Sequence, residues 1–394
     1  MPLKTLSHSV LLPELEMDRV YSAKRTWIHY YCHKVSSSEV CPKCATLSES
    51  IYDHRKTKVK DAPVRDQIVF LFIQKRRFWC KPCAKPFTEP VPGIRKGSRT
   101  TERFKKSVVW ACENFVDLER VQCAYRVSAG YVFKTLYTRL EERNRMRQYP
   151  WPKTIGIDEH SFRRDKKLGR VEFASIIVDY NNKRVFELAQ GKTTAELKGQ
   201  LSHIPNPENV QNVIIDMCDP FKNFARDHFP NAKIIADKFH VLRLITPALI
   251  KKRYEVTGTR ADMRARRLLT MSSKKLSHWD RQALWNYLGN YPALQELYRY
   301  KELLHRFYRT KGVDRAATAL TWLTDEMATS QLSEIKTLRR TLMKWREEIL
   351  AYFETGLTNG RTEGYNNLAK LVQRRAFGYK SFRNYRLRLL SVCA

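Results

Sequence analysis

At 394 residues the chain is long enough for two to three domains. Lysine and arginine total 73 against 40 aspartates and glutamates, a net charge of +33 that repels itself in a folded protein and is ordinarily kept for a polyanionic partner. No apolar run approaches the roughly 20 residues of a membrane-spanning helix, and residues 1–10 lack the charged start and apolar core of a secretory signal. The chain therefore reads as soluble and cytosolic. The basic residues are densest at 75–77, 163–167, 251–253, 260–267, 339–346 and 374–388, a spread that suits a long duplex better than a single tail would.

Residues 1–95 read as a zinc-binding module. Of nine cysteines, an odd number that fits a reducing compartment, four form the pairs Cys41-Pro42-Lys43-Cys44 and Cys80-Lys81-Pro82-Cys83, with 35 residues between them. Four thiolates on two tight turns satisfy the tetrahedral preference of Zn²⁺, and closing the site supplies folding energy to a segment with little core. Residues 66–76 read as a strand leading to the second pair. Cys32, His33 and His54 are spare ligands that a complete four-cysteine shell does not need.

Residues 96–150 read as a helix-turn-helix domain. From Thr101 the apolar residues Phe104, Val108, Val109 and Cys112 recur at helical spacing, and a short segment over 117–125 carries Leu118, Val121 and Ala124. Arg126-Val127 forms a turn, and Ser128 caps a third helix with Val132, Phe133, Leu136 and Leu140 inward. Tyr131, Lys134, Thr135 and Arg139 then face outward as DNA-reading residues. Pro150 and Pro152 around Trp151 mark a boundary.

Residues 151–240 carry strands at 154–158, 171–178 and 183–189, a helix over 193–201 capped by Thr193 or Thr194, a strand at 210–216, a helix over 221–228 capped by Asp219, and a strand at 233–236. This is the opening order of a ribonuclease H-like fold. In that order an acid in the first strand and one ending the fourth come within reach of a shared metal, and Asp158 and Asp216 hold those places. Strand alternation turns Glu159 to the opposite face and returns His160 to the side of Asp158. Asp237 and His240, just after the fifth strand, are expected to support the site.

Asp216 and Glu363 lie 147 positions apart, more than one strand and one crossing helix require. Residues 241–345 accordingly read as an all-helical insertion, with Trp279, Trp285, Tyr287, Tyr291, Tyr298, Tyr300, Tyr308, Trp322 and Trp345 interleaved among basic residues. About two thirds of these aromatics are expected in its core. Residues 346–394 close the catalytic core. A helix over 362–375 packs Tyr365, Leu368, Ala369 and Val372 inward and carries Glu363, Asn367, Lys370 and Arg374 on another stripe: a metal-binding carboxylate, an amide and two phosphate-binding cations.

Assembled in this order, the motifs resemble the ISL3 family of insertion-sequence transposases, a DDE-type group, over nearly the whole chain. The two Cys-x-x-Cys pairs match its zinc segment, and residues 101–143 its helix-turn-helix. Ile155-Gly156-Ile157-Asp158-Glu159, Ile214-Ile215-Asp216, Ala236-Asp237-Lys238-Phe239-His240-Val241 and Glu363-Gly364-Tyr365-Asn366-Asn367 match its core. The resemblance implies DNA strand cleavage and transfer with two Mg²⁺ (or Mn²⁺) ions, roughly 3.5 to 4 Å apart in such sites. Asp158 would bridge the ions, and Asp216 and Glu363 would each hold one. It further implies recognition of terminal inverted repeats and a homodimer in the bacterial cytoplasm, on the nucleoid. A regulator derived from a transposase, or a nuclease or resolvase of the same fold, are the alternatives.

Overall fold

The 35 residues between the cysteine pairs are occupied mainly by one long hairpin. The structure is a computed structural model describing residues 10–23, 26–115, 117–147, 149–164, 169–258 and 262–393, and it divides into two units, Met1–Arg143 and Asn144–Ala394. Residues 1–9 of the N-terminal segment, Lys166 and Lys167 of one basic cluster and Arg260 of another lie outside the described residues.

The first unit contains β1 (Leu15–Ala23), β2 (Trp27–Lys34), the short β3 (Glu39–Val40) and β4 (Leu47–Ser48), β5 (Ile51–Val64), β6 (Gln67–Cys80) and β7 (Lys85–Thr88). One sheet runs β1-β2-β6-β5, with β7 paired to β6. The β5–β6 hairpin turns on Arg65 and Asp66 at φ 50° and 62°, the left-handed backbone that a two-residue loop needs to match strand twist. The strand expected at 66–76 is β6, and it runs on to Cys80. Its neighbour β5 carries little apolar alternation because it is an edge strand rich in charged side chains, with only Val59 and Asp61 buried.

Three helices follow: α1 (Glu102–Asn114), α2 (Leu118–Tyr125) and α3 (Ala129–Arg145). Thr101 caps α1, and Phe104, Val108, Val109 and Cys112 are buried as their spacing predicts. Asp117 caps α2, and Arg126 at φ 45° ends it. The Ser128 hydroxyl accepts from the Tyr131 amide, and Val132, Leu136 and Leu140 form the inner stripe of α3. Phe133, expected inward, lies one residue off that stripe and is exposed, stacked on Tyr137.

The second unit is built on β8 (Thr154–Arg164), β9 (Val171–Asp179), β10 (Arg184–Gln190), β11 (Asn212–Ile215) and β12 (Lys233–Ala236). They form one mixed sheet in the order β10-β9-β8-β11-β12, an antiparallel meander continued by β11 and β12 parallel to β8. Helix α4 (Thr194–Leu201) starts at a capping box of Thr193 and Glu196, and α5 (Asp219–His228) connects β11 to β12. Asp219 is not the cap expected of it. It is the first residue of α5, with Cys218 in the cap position, and its carboxylate pairs with Lys344 at 2.6 Å.

Helices α6 (Lys238–Arg243), α7 (Thr246–Thr257), α8 (Met263–Thr270), α9 (His278–Gly289), α10 (Pro292–Phe307), α11 (Val313–Ala328), α12 (Ser333–Lys344) and α13 (Arg346–Thr355) come next. Their Leu249, Leu284, Leu297, Leu320 and Leu338 share one core with Ile155, Ile157, Val213 and Ile215, so the helical stretch extends the core of the sheet. Tyr298, Tyr300, Tyr308 and Trp345 are buried in it and Tyr287 and Tyr291 pack against it, whereas Trp279, Trp285 and Trp322 are exposed. No helix among the described residues is long and apolar enough to cross a membrane.

Helices α14 (Gly360–Arg375) and α15 (Phe382–Val392) cover the other face of the meander, where Ala369, Val372, Tyr385 and Leu389 meet Phe162, Ile176 and Val178. The N-terminus of α14 sits directly on β8 at Gly156. A β-carbon there would come within 2.2 Å of the Thr362 hydroxyl, 2.7 Å of Tyr180 and 2.9 Å of Asn359 Oδ1. Gly156 is therefore required by close approach, and Gly156→Ala should destabilise the protein by about 1–3 kcal/mol, as overpacking does. Urea unfolding measures this, and an unchanged midpoint would contradict the contact.

Candidate metal centres

The four paired cysteines converge. Cys41 and Cys44 lie on the turn between β3 and β4, Cys80 ends β6, and Cys83 lies on the turn before β7. One Sγ from each falls within 4.8 Å of the others, with Cys44 and Cys80 3.3 Å apart. Each pair is followed by an alanine in the left-handed region, Ala45 at φ 59° and Ala84 at φ 49°, which folds each Cys-x-x-Cys back on itself. Cys32, His33 and His54 are not members of this cluster. Cys32 is in the apolar core of the sheet, where burial pushes its thiol up to about 12, and His33 bonds Asp18 at 2.7 Å.

The acids are brought together by strand register. Ile157 of β8 is paired with Ile215 of β11, and Ile215 with Ala236 of β12. The next residue in each case is an aspartate, so Asp158, Asp216 and Asp237 stand side by side, Asp216 and Asp237 just past the ends of β11 and β12 and Asp158 in the middle of β8, which runs on to Arg164 instead of ending at 158 as expected. Asp158 and Asp216 have oxygens within 4.8 Å of each other. Burial, and then repulsion from Asp216, push the Asp158 carboxyl up to about 7.

Glu159 departs from expectation, because its carboxylate joins Asp158 and Asp216 within the same 4.8 Å. The cause is local. β11 stops at Ile215, opposite Ile157, so past that point β8 has a free edge around which a glutamate can reach. Glu363 is not a member of the cluster. It lies exposed in the first turn of α14.

Two asparagines hold the aspartates, Asn366 of the Glu363-to-Asn367 motif and Asn359, which lies outside every motif. The Asn366 amide donates to Asp158 Oδ2, and its carbonyl oxygen lies 2.9 Å from His160 Nδ1. His160 Nε2 lies 2.6 Å from the Tyr385 hydroxyl. Burial lowers His160 to about 4, so it is neutral. The proton order then follows: Tyr385 donates to Nε2, Nδ1–H donates to Asn366, and Asn366 donates to Asp158. His160 is on the side of Asp158, as alternation predicts. Asn367, expected to support the site, is exposed, because Thr362, Asn366 and Ala369 form the inward stripe of α14 and Asn367 is one residue off it.

The second asparagine, Asn359, occupies the cap position of α14 yet does not cap it. Its amide donates to Asp216 Oδ1 at 3.1 Å, and its backbone N–H donates to Asp237 Oδ1 at 2.8 Å. His240 Nδ1 lies 2.9 Å from Asp216 Oδ1 and 3.0 Å from Asp237 Oδ2. Hydrogen bonds to Asp216 and then Asp237 raise His240 to about 10, so an imidazolium sits between the two carboxylates. Burial alone would raise Asp237, but the bonds from His240 and Asn359 hold it below its ordinary value. Asp237 and His240 thus contact the acid cluster, in the positions expected from sequence.

Of the side chains expected to read DNA, Lys134 and Arg139 are exposed on α3, Arg139 paired with Glu142 at 3.0 Å, and Thr135 is half-buried. Tyr131 does not face outward. Its hydroxyl bonds Thr100 at 3.1 Å and its ring packs against Phe104, so it belongs to the helix packing. Lys370 and Arg374 are exposed on α14.

Comparison with known proteins gives the class. Residues 155–389 match the family model of the ISL3 transposases, described simply as a transposase. Residues 37–83, which include all four clustered cysteines, match one described as the zinc-finger of transposase IS204/IS1001/IS1096/IS1165. The chain belongs to the ISL3 family of insertion-sequence transposases, with an N-terminal zinc ribbon and a mixed α/β transposase domain. It is similar to the transposase for insertion sequence element IS1001 of Bordetella parapertussis, 23% identical over 365 residues that cover 89% of this chain and 87% of the relative. It is also similar to the transposase for insertion sequence element IS1557 of Mycobacterium tuberculosis (strain ATCC 25618 / H37Rv), 24% identical over 347 residues, 79% of this chain and 76% of the relative.

Two outcomes follow from the geometry. A cation held by Asp158 must displace the proton that this residue keeps up to about pH 7. Apparent Mg²⁺ affinity, measured by calorimetry, should therefore fall as pH is lowered below that value, and a flat profile would contradict the buried, repelled carboxyl. Asn366→Leu should weaken Mg²⁺ binding by about 10-fold or more through loss of the donor to Asp158, whereas Asn367→Leu should leave it unchanged.

Proposed function

We propose that this transposase is a DDE enzyme with a ribonuclease H-like core, binding the terminal inverted repeats of its insertion sequence and catalysing metal-dependent cleavage and transfer of DNA strands. The observation that supports this most directly is the parallel register of β8 and β11 that stands Asp158 beside Asp216. The strand order β10-β9-β8-β11-β12, with helices between the parallel strands, is what such a core requires.

The donor set suits a hard cation. Asp158, Asp216 and a third carboxylate offer only oxygens, the ligands preferred by Mg²⁺ or Mn²⁺. When bound, a divalent cation there supplies activation of water or a 3′-hydroxyl and neutralises charge on the phosphate. The chain orients that site through Asn366 on Asp158 and through Asn359 and His240 on Asp216. Glu363 lies one turn after Asn359 and one turn before Asn366 on the helix that carries both, and in this reading it joins the two aspartates when DNA is bound. Glu159 is the competing third ligand. Zn²⁺ belongs to Cys41, Cys44, Cys80 and Cys83 and has a structural role.

Around these centres the chain divides by task. Residues 1–95 form the zinc module and 96–150 a helix-turn-helix that reads the repeat, with Lys134, Thr135 and Arg139 toward DNA. Residues 151–240 and 346–394 form the catalytic core, and 241–345 a helical insertion. Lys370 and Arg374 contact phosphates near Glu363. The enzyme works in the bacterial cytoplasm, on the nucleoid, as a homodimer, since two ends are processed together.

Incubation of the full chain with repeat-end DNA and Mg²⁺ should give both cleaved and joined products. Asp158→Ala and Asp216→Ala should each slow the formation of both on the order of 100-fold or more, a barrier raised by about 3 kcal/mol or more, with end binding retained. Cleavage without joining would make the chain a nuclease, and no cleavage by the wild type would make it a DNA-binding regulator. Glu363→Gln should match the aspartate variants while Glu159→Gln retains activity; the reverse result would transfer the third-ligand role to Glu159. Chelation of zinc should unfold the ribbon and abolish end binding, followed by circular dichroism and gel shift; intact binding after metal loss would remove zinc from the reading.

A further inference from the structure

The helical stretch after β12 leaves one surface that the acid site does not use. A groove of about 730 Å³ runs between α9, α10 and α11, within the roughly 300–1,000 Å³ of sites that take up small molecules. Trp285 on α9 and Trp322 on α11 line it, 57% and 51% exposed. Tyr298, which also lines the groove, is closed into the core, so the two half-open indoles supply the groove's open aromatic faces.

Arg281, Arg299, Arg306 and Arg309 line the same groove, and all four are exposed. Arg299 and Arg306 are two turns apart on α10 and follow one side of it. Arg299 is steadied by Glu326 at 2.8 Å. Two carboxylates also line the groove, but both are engaged within the fold. Glu296 accepts from the Ser330 hydroxyl at 2.5 Å, and Glu302 from the Ser273 amide at 3.1 Å and from Lys301 at 2.9 Å.

Open indole faces alone would suit any flat apolar group, and guanidinium groups alone any anion. Together they suit a chain of flat groups joined by phosphates. Bases inside a duplex have both faces covered by their neighbours, so only unpaired nucleotides offer a face to an indole. We infer that this groove binds unpaired nucleotides of a DNA strand, Trp285 and Trp322 stacking on bases while Arg281, Arg299, Arg306 and Arg309 meet the phosphates. The inference rests on the reading of the chain as an enzyme acting on DNA, and gives that enzyme a place for a strand locally out of its duplex.

The test uses the full chain and two probes of the same sequence, a fully paired duplex and one with a short unpaired stretch containing 2-aminopurine. Wild type should quench the 2-aminopurine and bind the unpaired probe roughly tenfold more tightly than the paired one. Trp285→Ala with Trp322→Ala should remove both effects and leave paired-duplex binding unchanged. The double Phe variant, which keeps a stacking face, should retain most of the preference. Trp279→Ala, exposed but off the groove, should behave as wild type. Equal binding of both probes by wild type without quenching, while paired ends are still cleaved, would overturn the groove and leave the transposition reading intact. Failure to bind or cut any DNA would overturn both. A change in sedimentation of the double Ala variant with the DNA preference intact would assign the groove to a protein contact and overturn the inference.

Discussion

Parallel pairing of β11 between β8 and β12 determines where the charge in this protein collects. Once Ile157, Ile215 and Ala236 are in register, the three following aspartates, one within β8 and two just past β11 and β12, stand side by side. Their mutual repulsion is then offset in two ways. Asn366 and Asn359 donate amides to Asp158 and Asp216, and the His240 imidazolium lies between Asp216 and Asp237. Asp158 has no such counter-charge, and burial followed by repulsion from Asp216 pushes it up, whereas the bonds from His240 and Asn359 hold Asp237 below its ordinary value. That asymmetry marks Asp158 as the carboxylate with most to gain from a bound cation.

Helix α14 does more than carry a carboxylate. Through Asn359, Thr362 and Asn366 its first two turns lie on β8, and Gly156 permits the approach. The chain Tyr385, His160, Asn366, Asp158 links the acid edge to α15 through neutral hydrogen bonds with a defined proton order. Because His160 stays neutral, the network can orient Asp158 without competing for its negative charge.

Much of this was legible in sequence where local signals were strong. The cysteine spacing, the start of helical period at Thr101, the Thr193 cap and the apolar strands that carry Asp158 and lead into Asp216 all follow from residue type and period, although β8 runs on past Asp158 to Arg164. What was illegible depended on tertiary context. β5 is a polar edge strand without apolar alternation. Tyr131 looked like an exposed helix residue until its hydroxyl met Thr100. Glu159 obeys strand alternation at its Cα, but the early end of β11 opens a route for its carboxylate. Asn366 and Asn367 are adjacent on a helix whose phase only packing settles, and the long-range bond of Asn359 to Asp216 leaves no local trace in the sequence.

Anomalous scattering from crystals of the protein grown with Mn²⁺ tests most directly whether Asp158 and Asp216 hold a cation. A cation site there gives a peak between the two carboxylates. Absence of a peak there, with Mn²⁺ bound instead at Asp237 and His240 or nowhere on this edge, would contradict it.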